Sequence, residues 1–120
     1  MKKFVTLAML ITLLVYSTAE ARVKVTGRGA KMNFSTDSIP DMYKPAFDVM
    51  QAKCIKCHTM EHTVIAVQTG RAPITGQPFN KQAVKAYGIK MLRKPNSDMS
   101  KKEIRDVVVL LNFLLDENSR

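Results

Sequence analysis

Cys54-Ile55-Lys56-Cys57-His58 holds the only two cysteines of this 120-residue chain and one of its two histidines. Cys-x-x-Cys-His is the sequence at which a c-type haem is attached. Two thiols three residues apart can each bond one vinyl-derived carbon of a porphyrin edge. The adjoining histidine then reaches under the ring to iron through a neutral imidazole nitrogen. The spacing predicts covalent attachment of one haem at Cys54 and Cys57, with His58 as proximal iron ligand. Two other chemistries use Cys-x-x-Cys. A thioredoxin-like dithiol sits in a βαβ context, which this sequence does not offer. A tetrahedral zinc site needs two more good ligands, and outside the motif only His62 remains.

The N-terminus points independently to the compartment. Lys2 and Lys3 precede an uncharged, mostly apolar run from Phe4 to Tyr16, and Ala19-Glu20-Ala21 ends a stretch of small residues. This layout predicts a secretory signal peptide, residues 1–21, cleaved before Arg22. The run is shorter than the roughly 20 apolar residues that span a bilayer. An uncleaved signal kept as an anchor is the weaker reading, and the mature chain is expected to have no stable membrane insertion. No cysteine lies near the cleavage point to carry a lipid. Export to the periplasm agrees with c-haem ligation, which bacteria complete outside the cytoplasm.

Removing 21 of 120 residues leaves 99, one small domain whose apolar core is modest and gains from a staple. A covalently held haem would be that staple. Loss of Lys2, Lys3 and Glu20 takes the net charge from +9 to +8, and two ionised haem propionates would lower it to about +6. Such an excess suits an acidic protein partner or an anionic surface, besides simple solubility. Nucleic acid is excluded as a partner because an exported haem protein does not meet it.

Residues 22–38 are polar and aperiodic, with Gly27 and Gly29, and read as an extended or poorly ordered N-terminal arm. The domain proper spans 39–120. Ser38-Ile39-Pro40-Asp41 starts a helix that becomes regular from Pro45, with Phe47, Met50 and Cys54 on one face. That helix is expected to run through the motif to about Thr63. Gly70, Pro73, Gly76 and Pro78 make 68–80 a loop. Asn80 caps a third helix to about Leu92, weakened by Gly88 and closed by Pro95. Ser100-Lys-Lys-Glu103 is a capping box opening a last helix with an apolar stripe at Ile104, Val107, Val108, Leu111, Leu114 and Leu115. Val109, Leu110 and Phe113 broaden it, so this helix is either buried on two sides or offers apolar surface to a partner. The chain is expected to be a monomer or a dimer.

These features together resemble a class I c-type cytochrome: the motif after a first helix, a methionine downstream, and a capped amphipathic last helix. The resemblance covers roughly residues 38–117. It implies an all-α fold of about 3–5 helices wrapped around one covalently attached haem c, with one porphyrin edge exposed. It further implies that the first and last helices cross near that edge, with Phe47 and Phe113 as the packing pair. Met91-Leu92-Arg93-Lys94-Pro95-Asn96-Ser97 resembles the methionine segment of some small bacterial monohaem cytochromes, without the familiar Met-Pro dipeptide.

On that pattern the distal ligand is a methionine. Met1 and Met9 go with the signal, Met60 follows His58 too closely, and Met32, Met42 and Met50 precede the motif. Met91 is the favoured ligand and Met99, directly before the Ser100 cap, the runner-up. Met50 and Met60 are assigned to core filling. His62, four residues after His58 on a continuing helix, would share its side and so contact propionate or solvent rather than the distal face. By analogy the free N–H of His58 is expected to meet a carbonyl in the 70–78 loop, Pro73 or a neighbour.

The function expected is electron transfer in the periplasm without enzyme activity of its own, because His/Met ligation leaves iron no open position. Lys53 and Lys56, with Lys90, Arg93 and Lys94, are the expected docking patch for an acidic redox partner. The alternatives are a five-coordinate haem protein binding a small gas or peroxide, and a haem subunit of an oxidoreductase complex.

Overall fold

The computed structural model describes residues 23–56 and 58–120. The expected signal peptide and Cys57 lie outside the described residues. Helix α1 (Lys44–Lys53) has Pro45 in its first turn, where a missing N–H costs nothing. Helix α2 (Met60–Thr69) ends at Gly70, whose φ of 70° supplies the left-handed cap. Helix α3 (Lys81–Arg93) is capped by the Asn80 side chain, which accepts from the Ala83 N–H at 2.9 Å. It stops where Lys94, preceding Pro95, turns extended. Helix α4 (Lys101–Asn118) opens on a complete capping box. The Glu103 N–H donates to Ser100 Oγ and the Ser100 N–H to Glu103 Oε1, each at 3.1 Å. The described chain is thus mostly helical, as expected.

Two expectations are corrected. The first helix does not run through the motif. It ends at Lys53, tightens into a 3-10 turn at Cys54–Lys56, and the chain re-enters a helix only after Thr59, which is extended (φ −78°, ψ 159°). No Gly or Pro marks that break, so apolar periodicity carried the reading past it. The arm at 22–38 is also no loose extension. Val25–Thr26 (β1) pairs antiparallel with Asn33–Phe34 (β2), in the register Val25 to Phe34. Val23, Phe34 and Ile39 are buried in the core, and Asn33 Nδ2 donates to Gln51 Oε1 of α1 at 2.9 Å. Gly27 is obligatory at the turn: its φ is +74°, and a Cβ there would lie 2.2 Å from the Lys31 carbonyl oxygen.

Helix α4 is the central element, packed against α1, α2 and α3. Ile104, Val107, Leu110, Leu111 and Leu114 are buried among them, which accounts within the chain for the breadth of the stripe. Val109 alone among the helix's large apolar residues is prominently exposed, at 47%. Gly88 has a packing reason. A Cβ on it would stand 3.0 Å from Val108 Cγ2 and 3.2 Å from Ile104 Cγ2, so its absence lets α3 lie close on α4. Lys81 and Asp116 pair at 2.8 Å across the other end of that contact. The expected Phe47–Phe113 pair is replaced: Phe113 meets Tyr43, ring centroids 4.8 Å apart, while Phe47 is buried in the core. Tyr43 lies one turn earlier than Phe47, beyond the α1 start that the sequence defines.

Candidate functional site

A cavity of about 390 Å³ opens between the end of α1, helices α2, α3 and α4, and the loop before α3. Helix α1 contributes Met50, the 3-10 turn Cys54, and the break His58. Helix α2 adds His62 and Ala66, and α4 adds Val107 and Leu111. Residues Ala72 to Thr75 and Phe79 form the loop wall, and α3 presents Tyr87, Lys90 and Met91, with Lys94 at its end. Among the described residues this wall carries no Asp or Glu side chain.

The structure brings Cys54, His58 and Met91 into the lining of one cavity and leaves Met99 out of it. Met99 is buried beneath a separate, shallow polar groove beside Lys53, Arg93 and Glu103. Met60 fills core, as expected; Met50, also buried, fills core and borders the cavity as well. The spacing of Met50 and Cys54, one helical turn apart, is what turns both to the same side.

His58 is half-buried, and its Nδ1 lies 3.1 Å from the Thr59 carbonyl oxygen. This is a correction to the expected Pro73 acceptor, because the extended Thr59 offers a nearer one; Pro73 lines the cavity wall instead. A carbonyl only accepts, so this hydrogen bond requires the proton on Nδ1 and leaves the Nε2 lone pair available to a metal. The His62 ring stacks beside that of His58, with centroids 6.2 Å apart and planes 22° from parallel. The two histidines therefore share a side, although the uninterrupted helix behind that expectation is absent.

Burial pushes the Cys54 thiol up to about 11. A thiol so shifted is a poor nucleophile, opposite to the lowered values of disulfide-exchanging cysteines.

Lys53 does not belong to a free basic patch. Its ammonium donates to the Asp98 carbonyl at 2.6 Å and pairs with Glu103 at 2.8 Å. That hydrogen bond holds the Glu103 carboxyl below the usual range and raises Lys53. The Asp98 backbone takes a positive φ of 52° at this contact, a conformation Asp tolerates better than most residues.

Sequence reasoning missed the aromatic part of the wall. Tyr87 and Phe79 are in contact, ring centroids 5.9 Å apart. Tyr87 precedes Met91 by one helical turn, so its spacing was a usable signal. Phe79 and Ile74 come from the loop, whose path over the cavity no local pattern encodes. Among the described residues no three His, Cys, Asp or Glu side chains gather as a metal-binding group, and no helix is long and apolar enough to cross a membrane. Comparison with protein-family models, with curated proteins and with solved structures gives no significant match for this chain.

Proposed function

We propose that this chain is an exported electron-transfer protein carrying one haem c, bonded through Cys54 and Cys57 and ligated axially by His58 and Met91. The observation that carries the reading is one apolar cavity with Cys54, His58 and Met91 on its wall and Met99 elsewhere. The residues fit the group. The cavity lies within the range of roughly 300–1,000 Å³ typical of cofactor pockets, its lining is mostly apolar, and it offers the imidazoles of His58 and His62, the thioethers of Met50 and Met91, and the neutral thiol of Cys54.

Bound there, the haem would supply a one-electron couple at its iron. The Thr59 carbonyl fixes the His58 tautomer and ring orientation, and thereby the basicity of Nε2. The Met91 thioether, soft and neutral, favours the reduced metal and raises the potential. Val107 and Leu111 of α4 and Ala66 of α2 would give the group apolar packing in the same space. With imidazole and thioether both holding the group, no position would be left for substrate, which supports electron carriage to a redox partner, as a free shuttle or within a complex. The net positive charge favours an acidic docking surface on that partner, and the basic then apolar N-terminal sequence supports export to the periplasm.

The test is the near-infrared spectrum of the oxidised, haem-loaded protein with and without Met91→Ala. A sulfur-to-iron charge-transfer band present in the parent and lost in the variant is the expected result. A band retained in the variant moves the ligand to Met99 or Met50. No band in either protein favours the five-coordinate, gas- or peroxide-binding alternative.

A further inference from the structure

Resting on that reading, we infer that Lys90 and Lys94 form a cationic clamp for the acidic groups of the cavity's ligand, the two propionates of the haem. The cavity is otherwise apolar, and among the described residues no carboxylate lines it. Lys90 and Lys94 stand one helical turn apart on α3 and its cap, so both face the same way, and both border the cavity. Lys90 Nζ lies 5.5 Å from the centroid of the Tyr87 ring, itself part of the wall, which draws the ammonium toward the cavity mouth.

Lys44, Lys53, Lys81 and Lys102 each meet an acidic partner within 3 Å. Lys24, Lys31, Lys85, Lys90, Lys94 and Lys101 have no ion pair among the described residues, and of these only Lys90 and Lys94 border the cavity. Two cations at the mouth of an apolar cavity select a flat hydrophobic body bearing anionic groups at one edge, and they orient it with that edge toward α3. Arg93, which does not border this cavity, is left as the outward charge of the segment.

Zero-length carbodiimide coupling of the intact haem-loaded protein, followed by peptide mass spectrometry, tests the assignment. Coupling joins a carboxylate to an adjacent lysine amine as an amide with loss of one water. The ion pair Lys81–Asp116, at 2.8 Å, is an internal control for the reaction. The expected product joins the haem-bearing peptide of residues 54–58 to Lys90 or Lys94. It is lost in the Lys90→Arg/Lys94→Arg protein, which keeps the charge but has no amine to couple. Coupling of Lys81 to Asp116 without any haem link to Lys90 or Lys94 overturns the inference, as does a haem link to Lys85 instead. A purified chain with no thioether-bound haem overturns the functional reading itself and this inference with it.

Discussion

The two ends of the structured core are built on different kinds of instruction. At 100–118, the start signal lies entirely within the segment: Ser100 and Glu103 satisfy each other's backbone N–H groups, and a regular helix follows. At 53–60 the chain leaves a helix, tightens, extends at Thr59 and starts again, without a Gly, a Pro or a side-chain cap to direct it. The first region is self-sufficient. The second carries no such local signal, yet it brings Cys54 and His58 into the lining of one cavity. Local hydrogen-bond chemistry can be read along the chain; a conformation held by its surroundings cannot.

The largest effect is expected where shape serves chemistry. Replacing Cys54 and Cys57 by serine should abolish covalent haem on denaturing gels and collapse the yield of folded protein. A haem still retained through denaturation would mean that attachment does not depend on this segment.

Gly88→Ala probes how far the last helix is truly self-sufficient. Intrinsic propensity favours alanine by up to about 1 kcal/mol, but the new methyl meets Val108 Cγ2 at 3.0 Å and Ile104 Cγ2 at 3.2 Å. Both are branched at Cβ and stiff, and overpacking of this sort costs about 1–3 kcal/mol. A net loss of about 1 kcal/mol is expected in urea unfolding of the haem-loaded protein. A gain would show that α3 can shift on α4 and that the close approach is not required.

Glu103→Gln should have the smallest effect. The amide keeps the capping acceptor and loses the charge that pairs with Lys53 at 2.8 Å. Because its carboxyl is held below the usual 4.5, Glu103 contributes stability above that value and loses it as pH falls through the lowered one. The Tm difference between parent and variant should therefore be present at neutral pH and shrink as the pH falls below 4.5. A pH-independent difference would assign the loss to packing rather than to the ion pair.

The legible parts of this molecule were those with local causes. Asn80 and Ser100 cap the helices they were expected to cap, and Pro95 stands just beyond the end of α3. Cys54, His58 and Met91 could be named as candidates because each type has particular chemistry, and the cavity does bring them together. The buried roles of Val23 and Phe34 were hidden because a two-residue strand has too few positions to show a period. The Thr59 acceptor was hidden because it depends on a break without a sequence marker. Lys53 looked like one more surface cation, since its partners Asp98 and Glu103 are distant in sequence.

That lysine has a mechanical consequence. It ends α1, yet it grips the Asp98 carbonyl and the Glu103 carboxylate, so the strand of chain leaving Met91 is fastened at its far side. For Met91 to withdraw from the wall, either the last turn of α3 must unwind or Lys53 must release both partners. Fraying at the start of α4 and loosening at the cavity are thereby geared together.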